Sequence, residues 1–207
     1  MTEQTSLFSL GFMSQIAVKD RIIGTALGLF YAHGLRATGI DRIIRESGVA
    51  KASFYRHFPS KDLLIAEVLR HWHEADFAAL RQAVEAVEPK LRPLEVFNVL
   101  SERAQAEGYR GCALNNAVAE LADRSHAGFG FVIEARAEIR QWFEALLSDA
   151  GFADMAAELS QEWLLLYDGA LTVALRQPAV GRVAYVTAER VLQQIQLKRL
   201  LSKSLVP

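Results

Sequence analysis

Side chains that can bind phosphate or read a base edge are concentrated near the start of this 207-residue chain. Residues 18–61 hold eight Lys/Arg and only three Asp/Glu, a balance of +5. Residues 62–207 hold 15 Lys/Arg and 20 Asp/Glu, a balance of −5. A basic head on an acidic body is typical of a module that binds a polyanion through one end. An ordinary solvated surface accounts for the same asymmetry equally well.

Groupings typical of catalysis are not found in the sequence. There is no Gly-rich phosphate loop, no His-Glu-x-x-His and no paired Glu-x-x-His, and the acidic residues are spread along the helical patterns. The single cysteine, Cys112, excludes an internal disulfide and a cysteine-rich zinc site. We therefore expect no catalytic residues, no metal and no cofactor. A helical enzyme is the alternative from another class.

The basic segment has the pattern of a helix-turn-helix, in which two short helices cross about a tight turn. Gly48 lies where the turn needs a residue that tolerates positive φ. Ile43, Val49 and Phe54 have the spacing required to clamp the two helices together. The second helix keeps a polar face for the major groove, formed by Lys51, Ser53 and Arg56.

Flanking signals predict the neighbouring helices. An apolar stripe predicts a helix over about residues 18–33, with Gly34 at its left-handed C-terminal cap. Thr38 is predicted to cap the next helix, and Ser60 to cap a long helix that runs to about Val87. That long helix is expected to join the basic head to the body.

The segment GVAKASFYRHFPSKDLL resembles the signature of the TetR family of transcriptional regulators, and the resemblance covers about residues 18–65. Upstream, Leu29–Phe30, Gly34, Thr38 and Ile40 also match the family pattern. The sequence departs from it at Ile44, where the family usually has alanine, and at Phe54, where leucine is more usual.

The resemblance implies specific DNA contacts. Phosphate contacts are expected from Lys51, Tyr55, His57 and Lys61, and guanine contacts from Arg42 and Arg56. Ala52 and Ser53 are expected to approach the groove closely, and Thr38 to contact the DNA backbone in addition to its capping role. Tyr55 and His57 have an alternative reading, as a core aromatic and a solvated histidine respectively, while Phe58 is expected in the core.

The remainder of the chain shows helical patterns throughout, so the fold class is predicted as all-α with about nine helices. We expect a flexible tail over residues 1–15, a DNA-binding domain over 16–65, and a ligand-binding and dimerisation domain over 66–207. The last two helical patterns, about 154–176 and 180–201, are apolar over a wide arc. In the family such helices pair with their copies, which implies a two-fold homodimer.

A ligand pocket is expected in the body, lined by Phe97, Cys112, Asn115, Asn116, Trp142 and Tyr167. Aromatic residues of this kind more often belong to an ordinary core, although some must line any pocket that exists, with Asn115, Asn116 or Glu120 as polar anchors. Cys112 is interpreted first as a small packing residue, and alternatively as a reactive thiol near a helix N-terminus.

These observations together predict a cytoplasmic repressor that binds pseudo-palindromic double-stranded operator DNA and is released by a small hydrophobic effector. The sequence shows neither a secretory signal nor an apolar run long enough to span a membrane. A third reading is a helical protein-interaction module whose helix-turn-helix does not bind DNA.

Overall fold

Nine α-helices follow one another in the computed structural model, which describes the backbone of residues 3–121 and 123–204 and the side chains of residues 18–121 and 123–202. They are α1 (Glu3–His33), α2 (Ile40–Ser47), α3 (Lys51–His57), α4 (Lys61–Glu85), α5 (Arg92–Ala104), α6 (Ala113–Glu120), α7 (Ala127–Leu147), α8 (Ala156–Val173) and α9 (Val180–Ser204). A short 3-10 turn precedes α5, and a π-helical turn follows α7. The all-α prediction is confirmed for the described residues.

The chain forms two compact units. The first unit comprises the chain up to Glu74 together with Ala113–Ile133, and the second comprises Ala75–Cys112 and the chain from Glu134 onward. The first unit thus holds the helix-turn-helix together with α6, which the predicted division at residue 65 assigns to the body. That division concerns function, and it stays a prediction.

In the first unit, α1 packs against both α2 and α3. Ile43 and Phe54 are fully buried and Val49 is 9% exposed, which confirms their predicted place in the core of the helix-turn-helix. Phe58 is also buried, as expected. Burial of these side chains orients α3, because its seven residues are too few to form a stable helix alone.

The start of α1 differs from the expectation. The helix predicted over about residues 18–33 begins at Glu3, within the segment expected as a flexible tail, and the flexibility of residues 1–15 stays a prediction. The segment contains no proline, so its backbone can continue the helical hydrogen bonding of residues 18–33 toward the N-terminus. The weak apolar periodicity of this segment concealed the helix.

In the second unit, α5 packs against α8 and α9. The Trp163 indole N–H of α8 donates to the Pro93 carbonyl oxygen of α5 at 2.8 Å, and both residues are buried. Gly181 lets α9 approach α5 closely, since a Cβ there would lie 2.6 Å from the Phe97 carbonyl oxygen. No helix in the part of the chain that the structure describes combines the length and the apolar character that a bilayer crossing needs.

Candidate nucleic-acid interface

The turn between α2 and α3 is held by its own glycine and by a distant arginine. Gly48 has φ +63, the left-handed conformation expected of it, and its N–H donates to the Arg45 carbonyl oxygen. The Arg21 guanidinium of α1 donates to the carbonyl oxygens of Ser47 and Gly48 at 2.6 and 2.8 Å. A cation at the end of α2 satisfies carbonyl groups that the helix leaves unpaired. Sequence reasoning counted Arg21 only as part of the basic head.

Helix α3 has one buried and one exposed face. Phe54 lies in the core, while the opposite face exposes Lys51, Ala52, Tyr55 and Arg56. Ser53 and His57 are half-buried at the edges of this face. Tyr55 is 40% exposed, and its ring makes an edge-to-face contact with the Phe54 ring at a centroid distance of 5.4 Å. The phenol is therefore supported by the core and open to solvent.

Thr38 does not cap α2, so that prediction is wrong. The N-cap position is Gly39, which makes no side-chain capping bond. Thr38 is fully buried, and its hydroxyl donates to the Gly34 carbonyl oxygen at 2.8 Å. Its role is to close the turn between α1 and α2, which begins with a left-handed Gly34 whose carbonyl accepts the Thr38 hydroxyl.

Two predicted DNA-contacting cations hold intramolecular partners on α2. The Arg42 Nε–H donates to Glu46 at 2.7 Å, and this bond holds the pKa of the Glu46 carboxyl below its usual value. The same guanidinium lies 3.0 Å from His33 Nε2. The Lys51 ammonium lies 3.5 Å from an Asp41 carboxylate oxygen. These exposed contacts cost little to exchange for phosphate or base contacts.

The beginning of α4 follows the predicted pattern. The Ser60 hydroxyl oxygen accepts the Leu63 N–H at 3.2 Å, which confirms the expected N-cap, and Asp62 lies in the first turn. Burial lowers the pKa of the Lys61 ammonium, although the carboxylates of Asp62 and Glu120 oppose this shift. Lys61 is half-buried at the N-terminus of a 25-residue helix, where backbone N–H groups also favour an anion.

A surface pocket of about 270 Å³ lies in the first unit beside Lys61. It is lined by Leu35, Arg36, Lys61, Asp62, Ile65, Glu120, Leu121, Asp123 and His126. The His126 Nδ1 accepts the Gly128 N–H at 2.9 Å, and Nε2 lies 3.3 Å from an Asp62 oxygen. Sequence reasoning did not foresee this pocket, because its walls come from three distant stretches of chain.

The residues predicted to line a ligand pocket divide between the two units. In the second unit, Phe97 and Tyr167 are buried in one core cluster, with Trp142 packed against it and in edge contact with Phe77. Cys112 ends a segment of the same unit, whereas Asn115 and Asn116 lie on α6 in the first unit. The described structure does not test whether these six residues bind a ligand.

A charged cluster in the second unit was missed. The Arg136 Nε lies 3.1 Å from an Asp168 oxygen, and its Nη2 donates to Cys112 Sγ at 3.4 Å. Burial alone would lower the pKa of the Arg136 guanidinium, but Cys112 and Asp168 together hold it above its usual value. Burial raises the pKa of the nearby Tyr167 phenol. The sequence shows a positive charge at Arg136 on α7 and a negative charge at Asp168 on α8, but their spacing along the chain does not reveal that they form a pair.

Comparison with known proteins agrees with this geometry. The family model of bacterial regulatory proteins of the tetR family matches residues 22–68. The crystal structure of SCO4454, a TetR-family transcriptional regulator from Streptomyces coelicolor, superposes with a TM-score of 0.77 at 30% identity, over 86% of this chain and 95% of that one. The repressor KstR2 of Rhodococcus jostii is 28% identical over 152 residues, or 70% of this chain and 74% of its own.

Other curated relatives match over a shorter stretch, about a quarter of this chain. The regulators YuxN and YerO of Bacillus subtilis are 36% and 41% identical over 59 and 54 residues, about a fifth of their own length. The buried clamp, the left-handed turn and the exposed face of α3 define a helix-turn-helix regulator. The chain belongs to the TetR family of transcriptional regulators.

Proposed function

We propose that this protein is a homodimeric, cytoplasmic transcriptional repressor that binds a pseudo-palindromic operator and is released from it by a small hydrophobic effector. The observation that carries the proposal is the exposed polar face of α3 on a fully buried Phe54. A recognition helix must be held rigidly from behind while its other face meets base edges and phosphates. Some relatives, such as KstR2, are repressors, which supports repression rather than activation here.

The proposed DNA contacts follow from exposure and chemistry. Lys51, Tyr55 and Lys61, with the half-buried His57, would bind phosphate, and Ala52 and Ser53 would approach the groove. Arg42 and Arg56 would read guanine, each able to form two hydrogen bonds with O6 and N7. Thr38 is left out of this set because its side chain is fully buried.

Dimerisation is supported by apolar residues that the last two helices expose. Leu165 of α8 is 75% exposed, and on α9 the exposed residues Leu197, Leu200 and Leu201 follow the i, i+3, i+4 spacing of one helix face. Large apolar side chains grouped in this way mark a surface that associates. A dimer would present two α3 helices to half-sites about 34–36 Å apart. Sedimentation as a stable monomer at micromolar concentration would contradict this part.

Effector release is the second part of the proposal. The pocket would be lined by Phe97, Cys112, Trp142 and Tyr167 of the second unit, without Asn115 and Asn116, which belong to the first. Helix α4 would be the element through which the effector changes the separation of the two recognition helices. A coupling free energy of about 1–3 kcal/mol would weaken operator binding roughly 5–150-fold. If no compound in a broad screen changes the operator affinity, the protein is a repressor that no small effector releases.

The test is selection of bound sequences from a random duplex pool, followed by binding measurements over a range of salt concentrations. We expect one enriched pseudo-palindrome, and affinity that falls steeply as salt rises. A protein-interaction module would enrich no sequence and would show no salt-dependent binding to random duplex. An enzyme is not favoured, because the family is one of regulators.

A further inference from the structure

Helix α6 reaches back to the helix-turn-helix through its last residue, Glu120. The Glu120 Oε2 accepts the backbone N–H of Arg36 at 2.9 Å, across 84 residues of sequence. Arg36 lies in the turn between α1 and α2, and Glu120 ends α6 in the same compact unit. The first unit therefore closes this turn with a carboxylate that is no part of the helix-turn-helix sequence.

The turn is shaped to receive that carboxylate. Gly34 has φ +89, and a Cβ at this position would lie 3.0 Å from both carboxylate oxygens of Glu120. Glycine is needed here for its backbone conformation, and any larger residue would also require the Glu120 carboxylate to shift by a few tenths of an ångström. From the inner side, the buried Thr38 hydroxyl donates to the Gly34 carbonyl oxygen. The turn is thus fixed on two sides.

Helix α2 begins only two residues after Thr38, so the turn determines where α2 starts on α1. The position of α2 in turn determines that of α3, because Gly48 joins them through a tight turn and α1 packs against both. A shift of the turn would therefore reach the DNA-binding face without any change in the residues that contact DNA.

The negative charge of Glu120 and its contact with the turn have opposite expected effects on DNA binding. A carboxylate beside the basic head repels phosphate, so electrostatics alone predicts that its removal strengthens DNA binding. We propose that Glu120 is a positioning residue for operator binding: it holds the α1–α2 turn, and thereby α3, in the conformation that fits the major groove. This inference rests on the proposed function.

The experiment compares variants on the operator selected with the parent protein. Glu120→Ala removes the acceptor and the charge, whereas Glu120→Gln removes the charge and keeps an oxygen that accepts the Arg36 N–H. We expect Glu120→Ala to bind about tenfold more weakly, the order of one hydrogen bond to a charged group, and Glu120→Gln to bind as tightly as the parent or more tightly.

Asp123→Asn is the matched charge control. Asp123 lines the same pocket, but its described hydrogen bonds go to Ser125 and not to the turn. Its removal should leave the affinity unchanged or slightly raise it. Affinities are measured at a temperature at which circular dichroism shows every variant fully folded, and amide hydrogen exchange at Arg36 should accelerate in Glu120→Ala only. Arg36→Ala, which keeps the amide, should retain its protection.

The possible results distinguish a failure of the proposed DNA binding from a failure of the role assigned to Glu120. A parent that enriches no duplex overturns the proposed function and this inference together. A parent that binds, with Glu120→Ala as tight as Glu120→Gln, overturns the inference alone. Glu120→Leu replaces the alanine variant if that one does not fold. Should neither fold, Glu120 serves the stability of the whole unit, and its positioning role is overturned.

Discussion

The α2–α3 region and the core of the second unit are both rich in aromatic residues, but they place these residues differently. In α3, Phe54 faces inward and its neighbour Tyr55 faces solvent, so one short helix separates packing from recognition. In the second unit, Phe97, Trp163 and Tyr167 are all buried in one cluster, and no such separation is visible along the sequence. Functional residues are easier to predict from sequence when they lie on the exposed face of a helix than when they lie among core residues of the same types.

The buried charge of the second unit gives the largest expected effect. Arg136→Met removes the guanidinium and leaves the Asp168 carboxylate without its partner at 3.1 Å. We expect a loss of about 3 kcal/mol in the free energy of unfolding, at the low end of the cost of breaking a buried pair, because Asp168 is partly exposed. Denaturant unfolding at pH 7 measures it. The double variant Arg136→Met/Asp168→Leu should recover most of the loss, and a parent-like single variant would show that this core does not depend on the pair.

In the head, the corresponding cation is Arg21, which binds backbone rather than a carboxylate. Arg21→Ala removes two hydrogen bonds to the carbonyl oxygens of Ser47 and Gly48. We expect a loss of about 2 kcal/mol in the stability of the first unit and weaker operator binding. Arg21→Lys should retain part of both, since an ammonium still donates to these carbonyls. Unchanged unfolding and binding in Arg21→Ala would remove the distant support that we assign to the turn.

On the exposed face, Lys51→Ala should weaken binding to every duplex by about 1 kcal/mol and reduce the salt slope by about 0.9, the value for one phosphate contact. Binding to the selected operator and to random duplex, each over a salt series, measures both quantities. Asp41→Asn is the control: it frees the Lys51 ammonium from its 3.5 Å ion pair and should not reduce the slope. Equal slopes in the parent and Lys51→Ala would place the phosphate-binding face elsewhere.

The smallest effect concerns the ion pair between α1 and α4. The Lys19 ammonium donates to Glu67 at 2.7 Å, and this bond lowers the pKa of the Glu67 carboxyl from 4.5. A lowered folded-state pKa contributes stability above pH 4.5 that is lost as the pH falls through the folded value. Because Lys19 is 44% exposed, we expect less than about 1 kcal/mol at pH 7.

Glu67→Gln should therefore flatten the decline of stability below pH 4.5, as measured by urea unfolding midpoints between neutral and acid pH. Glu74→Gln lies on the same helix and has no ion pair among the described residues, so it should follow the parent. The same acid dependence in all three proteins would show that the pair contributes nothing.

Local rules predicted the head well. Gly34, Gly48 and Ser60 adopt the expected cap and turn roles, because these depend on a few consecutive residues. The Thr38 cap was wrong for a nonlocal reason: its hydroxyl is drawn into the core to satisfy the Gly34 carbonyl, and Gly39 takes the cap position. A capping rule considers only the type of residue, and it takes no account of the Gly34 carbonyl oxygen that competes for the Thr38 hydroxyl.

By itself, the sequence determined the all-α fold, the helix-turn-helix and the polar face of α3, because helical periodicity and turn chemistry act over short stretches. Only the tertiary structure decided that Arg21 and Glu120 hold the turns of the head, and that Arg136 meets Asp168 and Cys112. These contacts join residues 20 or more positions apart. Their pairing depends on how the helices pack, which no local spacing encodes.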